Sequence, residues 1–241
     1  MMFDGSYCGT APALGDVLAR WNFEPFVLTA LGAAAILSWR RASRGGGIAT
    51  ALLALAFVSP ICAASVALFS ARSLHHLVLL AAAGAGALAL SPSLVGRLRL
   101  PVLPTLVLMT AVLWAWHLPQ LYDLALRNMA VYWAMQLSLL ASIAMFWIAI
   151  RAAGPVAAAS GLVGGAVQMG FLGAVLTFAQ QPFYEIHRLA APTWGLSPLA
   201  DQQLAGLVMW VGGMAPFAIA GGLIAHRAWI GLDAPAGGRA A

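Results

Sequence analysis

Long apolar runs alternate with short polar ones along almost the whole chain. Seven runs stand out, at 24–39, 48–69, 74–92, 102–117, 131–150, 159–179 and 203–226. A spanning helix needs about 20 apolar residues, because lipid offers no partner to a bare peptide group. None of the runs alternates apolar and polar residues as the strands of a membrane β-barrel do. The pattern predicts an all-α integral membrane protein, with residues 1–241 forming a single bundle of seven transmembrane helices. The fourth run is short and follows Pro101 and Pro104, so its start is the least defined. Glycines such as Gly164, Gly165, Gly170 and Gly173, with abundant alanine, favour close helix contacts.

Charge gives this bundle a direction. Only 8% of the 241 residues are charged, against about a quarter in soluble domains, and 62% are hydrophobic. All 12 basic residues are arginine. Arg40, Arg41, Arg44, Arg97, Arg99, Arg151, Arg227 and Arg239 fall on one side of a seven-helix layout, leaving Arg20, Arg72, Arg127 and Arg188 on the other. The positive-inside rule then puts the N-terminus outside and the C-terminus in the cytoplasm. Asp4, Asp16, Glu24, Asp123, Glu185 and Asp201 are outside on this count, and Asp233 inside. The basic residues form no continuous stripe, which argues against nucleic acid as a partner. Residues 1–23 lack the basic and apolar regions of a cleavable signal, so the first helix is expected to direct insertion.

Side chains able to do chemistry gather on the expected outer side: Arg72, His76, His117, Asp123, Tyr184, His187 and Asp201. Pro119 is expected to end the fourth helix, with His117 in its last turn at the membrane boundary. There a histidine either caps free carbonyls or titrates and binds metal. Arg72 and His76, four apart, share a helical face, whereas His75 points about 100° away from His76. Ser197 before Pro198 reads as an N-cap, placing Asp201 in a first turn, where the helix dipole favours a carboxylate. Gln168, near mid-membrane, reads as an interhelical hydrogen-bond donor. There is no nucleophile–base pair, phosphate loop or metalloprotease motif, so the chain reads as a non-enzyme.

Several strings resemble the CtaG family of bacterial cytochrome c oxidase assembly proteins, the type named for caa-type oxidases. They are Tyr7-Cys-Gly9, Arg20-Trp-Asn22 with Pro25, Ser59-Pro60, Phe69-Ser70, Trp116-His-Leu-Pro-Gln-Leu-Tyr-Asp123, Phe146-Trp147, Leu176-Thr-Phe178, and Trp194 to Gly206 with Met209-Trp210. The resemblance implies a seven-helix factor of the bacterial inner membrane that acts on a haem–copper oxidase subunit or its assembly intermediates, with copper insertion as its proposed task. The chain departs from the family pattern at Arg72, where a histidine is usual, at Met135-Gln136, where Glu-His is frequent, and at Cys62, where an acidic residue is common.

The expected site is one outer cluster of His76, His117 and Asp201 as metal ligands, rimmed by Tyr122 and Tyr184. Arg72, Asp123, Gln202 and Met209 are further candidates. Cys8 and Cys62 both fall on the oxidising side, as separate thiols, as a disulfide, or as soft ligands for copper. Two other functions compete with oxidase assembly: copper handling independent of an oxidase, and a haem-binding subunit using His76 and His117.

Overall fold

The computed structural model describes residues 7–233, and all seven apolar runs are helical in it. Asp4 and Arg239, used in the charge count, lie outside the described residues. In chain order the helices are α1 (Pro25–Arg40), α2 (Arg44–Phe57), α3 (Pro60–Ala67), α4 (Phe69–Ala89), α5 (Pro92–Leu98), α6 (Val102–Ala115), α7 (Pro119–Arg127), α8 (Met129–Ala152), α9 (Pro155–Thr177), α10 (Pro198–Leu207) and α11 (Gly213–Asp233). A π turn, Val208–Gly212, joins the last two. Among the described residues, three helices are long and apolar enough to cross a membrane: Met129–Ala152, Pro155–Thr177 and Pro198–His226. The number rises to six if each bent pair counts as one span, and α1 is a shorter apolar helix.

Proline and its caps explain the breaks. Pro60 takes the first position of α3, where a missing N–H costs nothing, and Ser59 Oγ accepts from the Ile61 amide at 3.3 Å. The 48–69 run is therefore a pair bent by 48°. Pro119 opens α7 instead of merely closing α6, and the chain turns by 73° there. Within the last run, Pro216 cannot donate to the Gly212 carbonyl, and the ladder widens into the π turn immediately before it.

Two glycines let α9 and α10 touch. A Cβ on Gly206 would sit 2.6 Å from the Thr177 amide nitrogen and 2.7 Å from the Gly173 carbonyl, besides striking Thr177 Oγ1. One on Gly173 would meet the Gly206 carbonyl at 2.9 Å. At one end of the bundle Arg151 ties the end of α8 to the Ala87 carbonyl near the end of α4. At the other end, the start of α4, the ends of α6 and α9, and the starts of α8 and α10 come together beneath the 178–197 loop.

Candidate functional site

The candidate site is built on the first turns of α4. Leu68, its N-cap residue, offers no side-chain bond to the free amides. Asp201 of α10 supplies it from 132 residues away: its carboxylate accepts from the Phe69 amide at 2.7 Å, the Ser70 amide at 3.1 Å and the Ser70 hydroxyl at 2.5 Å. Asp201 is fully buried and committed to these three donors. Expected as a metal ligand beside the histidines, it serves in the structure as an interhelical cap. Its own helix is capped by Ser197, which accepts from the Ala200 amide at 3.1 Å.

Neighbouring residues of α10 clamp the preceding loop. Gln202 Oε1 accepts from the Phe183 amide at 2.6 Å, and Gln203 donates to the Ala179 carbonyl at 3.2 Å. Gln202 thus holds the loop in place. Trp194, further back, donates to the Pro12 carbonyl at 3.0 Å.

With α4 fixed, Phe69 becomes the hub of an aromatic cluster. Its ring lies 4.2 Å from Tyr184, 5.3 Å from Tyr122, 6.0 Å from His187 and 6.3 Å from His117, centroid to centroid. Tyr122 and Tyr184 are buried members of this cluster and do not form an exposed rim. Tyr122 donates to His187 Nε2 at 2.7 Å, while His187 Nδ1–H donates to the Ala67 carbonyl at 3.2 Å. Burial, reinforced by the positive field of Arg72, pushes the His187 imidazolium pKa down to about 3, so the ring is neutral at ordinary pH. Burial also raises the Tyr184 hydroxyl, with the Asp123 charge adding to it. Asp123, half-buried, faces the 185–186 backbone.

His117 lies just past the end of α6 and is buried within the protein. The folded-back α7 and the 178–197 loop cover it, Tyr184 donating to its carbonyl at 2.9 Å. Its Nδ1–H donates to the Leu113 carbonyl at 2.7 Å, which leaves Nε2 as the lone-pair nitrogen of the neutral ring. His76 lies 6.3 Å away, ring centroid to centroid, and its Nε2 is buried without a hydrogen-bond partner. Two imidazoles on one ion at bonds of roughly 2 Å place their centroids about 5 Å apart at a tetrahedral angle and about 6 Å apart only when the nitrogens are nearly opposite, so 6.3 Å matches a near-linear arrangement alone. No group of three or more His, Cys, Asp and Glu able to hold a metal is found among the described residues. The cavity beside His76 is about 20 Å3, room for a single atom and not for a porphyrin.

A second polar centre lies across α4. Arg72 is fully buried, with Nε donating to the Ser65 carbonyl at 3.2 Å and its guanidinium 5.4 Å from the centre of the Tyr132 ring. Its two terminal nitrogens have no partner, nor do the amide of Gln136 and both ring nitrogens of His75. A disulfide joins Cys8 to Cys62, so the alternatives of separate thiols and thiolate ligands are corrected. It holds Tyr7 stacked on Tyr132 at 5.4 Å, while Tyr132 donates to Cys8 Sγ at 3.5 Å. Phe69, His75, Tyr132 and Tyr7 are not among the expected functional residues; the Tyr7-Cys-Gly9 and Phe69-Ser70 strings and the adjacent histidines are the available signals. Gln168, expected to bridge helices, has no partner. Met209 lies in the π turn and lines the cavity beside His76.

These features define an apolar helical bundle whose polar and aromatic residues are concentrated and mutually positioned at one end. The chain belongs to the cytochrome c oxidase caa3 assembly factor family (Caa3_CtaG), whose model matches residues 86–230. His117, the two tyrosines, Asp201 and Met209 lie within the matched stretch; Arg72 and His76 precede it. No curated protein and no solved structure matches the chain.

Proposed function

We propose that the protein assists formation of a copper centre in a respiratory haem–copper oxidase, at the periplasmic face of a bacterial inner membrane. On this reading the chain crosses the membrane seven times, with its N-terminus outside, and engages an oxidase subunit or assembly intermediate without itself catalysing a reaction. Copper is its cargo. The observation that carries the reading is the His76–His117 pair, set 6.3 Å apart at the site-bearing end of a chain from an oxidase assembly family. The arginine asymmetry supports the orientation.

The test is complementation of a deletion strain, scored by oxidase activity, copper per oxidase and chain abundance. Wild type and H226A, which alters an exposed histidine near the far end of α11, are expected to restore activity. H117A is expected to restore chain abundance but not full activity, and added copper to recover part of the loss by mass action on a weakened transfer step. Full activity of H117A removes His117 from the mechanism. Equal loss from H117A and H226A argues against a functional end. A copper phenotype in a strain that lacks the oxidase would point instead to copper handling of its own.

A further inference from the structure

Beneath His117 the helices enclose the 20 Å3 cavity, walled mainly by leucine and isoleucine but also by Ser73 and His76 of α4, Met169 of α9 and Met209. It is about the size of one water or one ion. Two observations separate it from an ordinary packing void. Ser73 Oγ and His76 Nε2 are buried there with no hydrogen-bond partner, an arrangement that cores normally avoid. Met209 is also carried on the π turn Val208–Gly212, and single π turns inside helices recur at functional sites.

The donor types decide what would fit. One imidazole and two thioethers, without a carboxylate, make a soft and uncharged set. Such a set suits monovalent copper and serves magnesium, calcium or manganese poorly. A single positive charge also costs less to bury in a low-dielectric bundle than a double one. We propose that His76 Nε2 and the sulfurs of Met169 and Met209 form a Cu(I) site, with Ser73 beside it and His117 as the imidazole above. The site deepens the copper-centre reading and rests on it: His76 becomes the link between a thioether store and His117.

The test loads the purified full-length protein, disulfide intact, anaerobically with Cu(I) against a competing chelator and records copper K-edge absorption. One copper per chain with sulfur and nitrogen in its first shell is expected. The protein's two cysteines are joined to each other, so sulfur in that shell identifies methionine. M169L and M209L conserve volume and should leave the fold intact. Each is expected to weaken Cu(I) binding by more than about tenfold, at least as much as loss of an outer-shell partner does. H117A is expected to retain the sulfur signal. A nitrogen-only shell unchanged by M169L and M209L would overturn the thioether site while leaving the His76–His117 reading standing. No Cu(I) uptake by folded wild type would overturn both and leave Ser73 and His76 to share a water. Normal oxidase activity in the deletion strain would sink the assembly reading without touching the binding result.

Discussion

Replacing Asp201 tests whether the carboxylate is a structural cap or a ligand. In D201A the Phe69 amide, the Ser70 amide and the Ser70 hydroxyl lose their acceptor inside a fully buried site. Each stranded donor costs about 1–3 kcal/mol, and adjacent losses are not fully additive, so roughly 3–5 kcal/mol of stability should disappear. D201N keeps one acceptor oxygen but turns an NH2 group toward the second set of donors; about 2 kcal/mol is expected. Unfolding of the purified protein in mixed detergent–SDS micelles, followed by near-UV circular dichroism, measures both. S70A removes one of the three donors, so the D201A/S70A pair should be less destabilised than the sum of the single changes. A D201A stability within about 0.5 kcal/mol of wild type would refute the cap. Loss of copper binding in a fully stable D201N would restore Asp201 as a ligand.

Three further outcomes are expected. Because the His187 imidazole is held neutral, with its pKa lowered from 6.5 to about 3, folding carries no penalty from it above the ordinary value and loses stability as pH falls toward 3. Wild type should lose about 2 kcal/mol more than H187Q between pH 7 and 5, read from paired unfolding curves. G206A forces a Cβ against the Thr177 and Gly173 backbone and should cost roughly 1–3 kcal/mol; unchanged stability would mean that α9 and α10 are not in contact. A reporter active only in the cytoplasm should give signal at the C-terminus and none at Thr193; the reverse pattern inverts the orientation.

The helices were legible because apolar runs this long have few alternatives, but their breaks were harder to read. Pro60 lies inside an apolar run, where a bent pair and one continuous helix have the same composition. The Ser197-Pro198 pattern places Asp201 in a first turn, yet which helix it caps depends on a contact spanning 132 residues, beyond any local pattern. The Tyr122–His187 bond, across 65 residues, was hidden for the same reason. His117 reads as interfacial because tryptophans and a proline surround it; the 73° bend after α6 folds α7 back and buries it. His75 points away from His76, but α4 is packed on that side too: His75 is fully buried and lies 5.5 Å from Phe57, ring to ring. The π turn had a visible sign in Pro216, inside an otherwise uninterrupted run.

The bond between Cys8 and Cys62 also bears on how the protein is made. It links the segment before α1 to a residue in α3, closing a ring of chain with a sequence separation of 54 that contains all of α1 and α2. Disulfides persist where oxidants reach both thiols, and on the orientation proposed above both cysteines arrive on the exported side. During synthesis, closure would therefore record that the first hairpin has threaded correctly, before the ribosome has delivered the segments carrying His117, Met169 and Met209. A newly made chain would carry a covalent timestamp of early insertion, readable as a mobility difference on a non-reducing gel.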